Sequence, residues 1–144
     1  MASVTTLDET AGRLRLAVMR LARRLRQESP PGITPTQLSA LSVLSGVGPV
    51  TIGELAGLEN VQQPTMSRIV DALAAGEWVE RVADASDRRV TRVVATPKAE
   101  RELARIRAER NAYLAARMVL LSAEEQGAIE VALPALEKLL ADPS

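Results

Sequence analysis

Leu7, Ala11, Leu14, Val18, Leu21 and Leu25 succeed one another at spacings of four, three, four, three and four. That rhythm puts them on one stripe and predicts a helix over residues 6–27. Ser29-Pro30-Pro31-Gly32 ends it, because proline cannot continue the backbone bonding of a helix. Leu38, Leu41 and Leu44 mark a second helix over 35–45, closed by Gly46-Val47-Gly48-Pro49. A short strand is expected near Val50, then helices over 52–57 and 62–75. There the period changes. Residues 78–82 and 90–96 are β-branched and partly alternating, which predicts two strands joined by the polar segment 83–89. After Pro97 a helix rich in Ala, Arg and Glu runs to about Leu120. A last helix follows Ser122, with Ile129, Leu133, Leu136 and Leu140 again spaced four-three-four. Pro134 conflicts with that pattern and predicts a kink there, or two shorter pieces.

Helix starts are legible. Thr6 with Glu9, Thr34 with Gln37, Thr51 with Glu54 and Ser122 with Glu125 all have capping-box spacing. Pro35 and Pro97 follow Thr34 and Thr96, which suits an N-cap and then a first-turn proline. The first and last helices lie at opposite ends of the chain and each carries an apolar stripe. The economical expectation is that they pack on each other and on a second copy. The alternative is that they complete a monomeric core.

Composition narrows the chemistry. The chain has no cysteine and no histidine. Thiol nucleophiles, disulfides, Cys/His zinc sites and imidazole bases are therefore excluded. The carboxylates lie scattered over helical faces opposite arginines, the pattern of solvated ion pairs. No catalytic residue, metal or cofactor is expected. No apolar run approaches the roughly 20 residues of a membrane span, and the N-terminus lacks a signal-peptide pattern, so a cytoplasmic location is expected. One Trp, one Tyr and no Phe imply an aliphatic core. The 144 residues suit a single domain over 1–144. Formal charge sums to zero, but unevenly. Residues 10–27 hold Arg13, Arg15, Arg20, Arg23, Arg24 and Arg26 and no acid. Residues 121–144 hold Glu124, Glu125, Glu130, Glu137 and Asp142 against Lys138 alone. A neutral total can therefore hide a basic face.

The helices over 52–57 and 62–75 have the spacing of a helix-turn-helix. Leu55, Val61, Ile69, Val70 and Leu73 fit its buried positions, and Ala56 is small where the two helices should approach. The opposite face of the second helix presents Gln62, Gln63, Thr65, Ser67 and Arg68, with Pro64 in the first turn. Glutamine suits adenine edges, arginine guanine edges, and the Thr methyl suits thymine. Thr65 and Ser67 suit phosphate equally well. Shortly afterwards Arg88, Arg89 and Arg92 concentrate positive charge at or near a hairpin tip, with Asp87 placed to hold one of them extended. Arginine at such a tip suits a narrow minor groove. A charged turn guarding an edge strand is the plainer reading. A groove-reading helix followed by an arginine-tipped hairpin outlines a winged helix-turn-helix. The fold class expected is mostly α with a small β-wing.

Glu54-Leu55-Ala56, then Pro64-Thr65-Met66-Ser67-Arg68, then Asp87-Arg88-Arg89 through Ala95-Thr96 resemble the MarR family of bacterial transcription regulators. The wing pattern of that family is Asp-x-Arg, five residues, then Leu-Thr. Asp87 and Arg89 match it, and Ala95-Thr96 stands for Leu-Thr. The resemblance implies that Arg89 is the minor-groove finger, Asp87 its orienting partner and 62–75 the recognition helix. It further implies that residues 34–96 form a DNA-binding lobe and that 1–29 and 97–144 form dimerisation helices. Three departures stand out. Gln62 occupies a place where the family often has Ser. Gly76 lies one position early, with Glu77 next to Trp78. Ala95 replaces Leu. Members of the family commonly bind small phenolic or anionic molecules in a cleft, so a small-molecule effector is allowed, though no ligand residues are assigned. The absence of Cys excludes a thiol-based peroxide sensor.

The expected function is a sequence-specific regulator, a repressor by analogy, acting as a homodimer on double-stranded DNA. Two alternatives share the fold: a nucleoid-type binder indifferent to sequence, and a winged-helix protein-interaction module.

Overall fold

The computed structural model describes residues 4–27 and 31–141. The elements run α1 (Val4–Arg26), α2 (Pro35–Val47), α3 (Ile52–Leu58), α4 (Gln63–Ala75), β1 (Val79–Ala83), β2 (Thr91–Ala95), α5 (Pro97–Met118) and α6 (Ala123–Leu140). The chain divides into two compact units, Met1–Arg107 and Ala108–Ser144.

Capping chemistry sets most starts. Thr34, Thr51 and Ser122 each form a complete capping box with Gln37, Glu54 and Glu125. Thr96 caps α5, its Oγ1 accepting from the Ala99 amide at 3.2 Å. The box expected at Thr6 is absent. Helix α1 already begins at Val4, so Thr6 lies inside it and its carbonyl accepts from the Thr10 hydroxyl at 2.8 Å. The Ser29-Pro30-Pro31-Gly32 stop falls partly outside the described residues. Helix α2 runs two residues further than its leucine stripe suggested, stopping where Gly48 takes a φ of 77° and returns its amide to Leu44.

In the first unit α2, α3, α4, the hairpin and the start of α5 enclose one aliphatic core. Leu41, Leu44, Leu55, Met66, Val70, Leu73 and Val93 are its largest fully buried side chains. Ala99, Leu103 and Ile106 bring α5 into it, and Val61, Ile69 and Trp78 pack on its edge. Helices α3 and α4 meet through a tight turn. Asn60 sits in the left-handed region at φ 54°, and the amides of Asn60 and Val61 bond back to Gly57 and Ala56. This is a Schellman closure, in which Asn substitutes for Gly at tolerable cost. Ala56 is buried at the crossing, as its size suggested.

Strands β1 and β2 pair antiparallel, Val79 opposite Ala95 through Ala83 opposite Thr91. The strand expected near Val50 is a single bridge to Val93. Each strand is displaced slightly from its expected limits: β1 starts one residue later, and β2 loses one residue at each end.

The second unit holds the end of α5 and all of α6. Gln126 Nε2 joins them by donating to the carbonyls of Met118 and Leu121. Helix α6 is continuous through Pro134, so it is not split into two pieces. Residues 130–135 are all exposed on this chain, so the Glu130 carbonyl freed by the proline can be hydrated.

Among the described residues no side chain of α1 or α6 is buried. Leu7, Leu16, Val18, Met19 and Leu21 on α1, and Ile129, Val131, Leu133, Leu139 and Leu140 on α6, are all exposed. The apolar stripes of these helices do not fill this chain's own core.

Candidate nucleic-acid interface

Helix α4 has two unlike faces. Met66, Val70 and Leu73 are buried and fix its seat on the lobe. Met66 was not anticipated as core, because it sits among polar residues and only the four-residue step to Val70 reveals it. On the other side Gln63, Pro64, Thr65 and Arg68 are exposed and Ser67 is half-buried. Gln62 is the N-cap but makes no side-chain capping bond. Gln63 lies against the start of α3, where a Cβ on Gly53 would meet its Oε1 at 3.4 Å. Arg68 has no ion-pair partner among the described residues.

The hairpin tip is organised by two aspartates. Asp84 Oδ2 accepts from the amides of Ser86 and Asp87, each at 2.9 Å, a side chain mimicking a turn carbonyl. Asp87 then grips Arg89 twice, Oδ1 to Nε at 3.0 Å and Oδ2 to Nη2 at 3.1 Å, and also accepts from the Arg89 amide at 3.1 Å. The Arg89 side chain nevertheless remains 90% exposed. A bidentate fork of this kind fixes direction as well as charge. It holds the Asp87 carboxyl below the usual carboxylate range, through the guanidinium first and the backbone amide second. Arg88 is exposed beside it.

Arg92 is placed differently from its neighbours. Its Nε donates to Asp84 Oδ1, and its Nη1 donates to Glu54 Oε2 at 3.2 Å. Asp84 is held below the usual carboxylate range, first by the Arg92 side chain and then by the amides of Asp87 and Ser86. The sequence contained Glu54 only as a capping residue and Asp84 only as a polar loop residue. Nothing in their spacing revealed that Arg92 would join them. Arg81, midway along β1, likewise pairs with Asp71 on α4.

The helix-to-wing turn departs from the expected glycine placement in a definable way. Glu77 and Trp78 return their amides to Ala74 and Leu73, a Schellman closure. The left-handed position falls on Glu77, at φ 61°, while Gly76 has an ordinary φ of −84°. Gly76 is needed for another reason: a Cβ there would lie 2.7 Å from the Trp78 ring. Lys98 lies over the ring, its Nζ 4.2 Å from the ring centroid and 2.8 Å from the Gly76 carbonyl. Buried Thr96 completes the joint by donating to the Glu77 carbonyl at 2.8 Å. Ala95 is only partly buried against the core.

Residues 33–91 match the sequence model of the MarR family. An HTH-type transcriptional regulator of Mycobacterium tuberculosis is 36% identical over 117 residues, covering 81% of this chain and 82% of that protein. The chain belongs to the MarR family. A solved MarR family protein from Bacillus stearothermophilus superposes with a TM-score of 0.83 at 29% identity, covering 97% of this chain and 99% of the other. Streptococcus pneumoniae FabT in complex with DNA shares the fold, at a TM-score of 0.68 and 19% identity, over 96% and 97% of the two chains. The chain is thus a DNA-binding, HTH-type transcription regulator with a MarR winged-helix fold, and the family is one of regulators, not enzymes. No described helix is long and apolar enough to cross a membrane.

Proposed function

We propose that this MarR-family chain acts in the cytoplasm as a homodimeric repressor of a near-palindromic operator. Helix α4 enters the major groove, where Gln62, Gln63, Thr65, Ser67 and Arg68 meet base edges and phosphates and Pro64 shapes the first turn. Arg89, braced by Asp87 and flanked by Arg88, enters the adjoining minor groove. The observation that carries this reading is the Asp87–Arg89 fork, which holds a fully charged side chain out in solvent at the wing tip. A solvated ornamental arginine would lose side-chain entropy in such a fork without return.

The second copy is inferred from α1 and α6, whose apolar stripes leave Leu7, Val18, Leu21, Ile129, Leu133 and Leu140 exposed on one chain. Covering them with a partner removes that surface from water. Two lobes held this way present their recognition helices about one turn of DNA apart, roughly 10 base pairs. A small-molecule effector would act only by preferring one lobe spacing over another. Arg20, Arg23 and Arg24 are exposed along α1 and would suit an anionic one.

Selection of sites from a random duplex pool tests the reading, followed by affinity on the winner and on a scrambled control. A near-palindromic winner bound at least about a thousandfold more tightly is expected. Equal, salt-sensitive binding to every duplex would instead indicate a nucleoid-type binder. No binding to either would indicate a protein-interaction module.

A further inference from the structure

The polar contacts around the wing form one continuous chain. The Thr51 amide donates to Glu54 Oε2 at 3.0 Å, and the same oxygen accepts from Arg92. Arg92 also holds Asp84, Asp84 holds the Asp87 amide, and Asp87 holds Arg89. The chain therefore starts at the cap of α3, inside the helix-turn-helix, and ends on the guanidinium at the wing tip. Its middle member is the least exposed of the four arginines considered for the groove: Arg92 is 31% exposed against 90% for Arg89. Two of its three nitrogens are engaged by carboxylates on different elements. An arginine already paired to two acids carries little net charge toward a phosphate, whereas its planar fork is well suited to bridging.

We propose that Arg92 is a positioning residue: it ties the wing to α3 through Glu54 and Asp84, and so sets where Arg89 stands relative to the recognition helix. The proposal deepens the groove reading above and rests on Arg89 being the minor-groove group. Its consequence is a division of specificity. Base preference under the recognition helix is independent of Arg92. The A·T preference in the flanking minor groove depends on it, because that preference needs Arg89 delivered at a fixed place.

Two variants separate positioning from direct contact. Arg92→Gln removes the charge. Arg92→Lys keeps the charge but cannot span both carboxylates. The chain has no cysteine, so Arg88→Cys gives a single spin-labelling site at the wing tip, readable without DNA. Label mobility is expected to rise in both Arg92 variants. In unlabelled protein, site selection should then show flanking A·T preference falling toward one in both, with the central half-site preference retained as proof that α4 is intact. The proposal is overturned if label mobility stays unchanged in both variants. It is equally overturned if Arg92→Lys keeps the flanking preference while Arg92→Gln lowers the salt slope by about one, the signature of a phosphate contact. Loss of the central preference along with the flank would also overturn it, since the tie would then support the whole lobe. Should the unaltered protein show no flanking preference at all, the groove reading fails, and the label alone still decides whether the tie holds the tip.

Discussion

The lobe built from α2 to the start of α5 buries Leu41, Leu44, Leu55, Met66, Val70 and Leu73 to 1% exposure or less, while Leu7 and Leu21 on α1 and Val131 and Leu140 on α6 stand 51–86% exposed. Both regions carry apolar stripes at helical spacing, and the stripes of the terminal helices are the more regular. What differs is whether a complementary surface lies within the same chain. The lobe closes on itself through short turns, each with its own chemistry: Asn60 and Glu77 in left-handed positions, Thr51 and Thr96 as caps. On the terminal helices no described side chain is buried. Amphipathic periodicity therefore reports that a face will be covered, and is silent about which chain covers it.

The sharpest way to break this contrast is Leu55→Ala. Emptying a fully buried leucine site should destabilise the lobe by about 2–5 kcal/mol at any protein concentration. By contrast, Leu21→Ala should cost little in a single chain and act on association. Its melting temperature should lose some of its dependence on protein concentration, and light scattering should show a shift toward single-chain mass. A concentration-independent loss as large as that of Leu55→Ala would mean that α1 completes a monomeric core.

Function should divide along the same line. Arg68→Ala is expected to weaken operator binding by roughly 1–3 kcal/mol and relax base preference if Arg68 reads a base. Arg89→Ala should weaken binding to all duplexes and reduce the salt slope by about one. Neither should change thermal stability by more than about 0.5 kcal/mol, since both side chains are exposed. Unchanged DNA affinity in both would remove these residues from the interface.

Smaller effects probe the joint between helix and wing. Glu77→Gly should raise stability by about 0.5–1 kcal/mol, because left-handed strain on Glu77 outweighs the entropy that glycine adds to the unfolded chain. Gly76→Ala should lower stability, because the added Cβ drives the Trp78 ring away from its seat under Lys98. The fluorescence of Trp78, the single tryptophan, should report the displacement. A neutral Gly76→Ala would show that the ring shifts freely.

The smallest effect concerns pH. Asp84 and Asp87 are held below their ordinary value of 3.8 in the folded chain. A carboxylate shifted down stabilises the folded state fully above its unfolded value, and that contribution fades as pH falls through the folded one. The wing should therefore keep its shape from pH 5 to 8, where both carboxylates stay ionised. It should loosen only below about 3.8. Hydrogen exchange of the Ser86, Asp87 and Arg89 amides across that range checks the claim.

Much of this protein was legible in its residues, because the relevant signals are local. Caps at Thr34, Thr51, Thr96 and Ser122 act within three residues, as do the hairpin tip and the Asp87–Arg89 pair. The two faces of α4 follow from its own periodicity, Met66 included through its four-residue step to Val70. The displaced glycine before Trp78 was also visible, though not that Glu77 would take the left-handed position and Gly76 would make room for a ring. Tertiary structure alone decided the rest. Arg92 reads as one more tip arginine until folding brings Glu54, 38 residues away, to its guanidinium. Asp71 and Arg81 meet only once β1 packs beside α4. Pro134 reads as a break, yet α6 is continuous through it and residues 130–135 are exposed on this chain. Sequence encodes backbone preference and burial pattern at short range. Which charges finally pair depends on how packed elements converge, and packing is a property of the whole lobe.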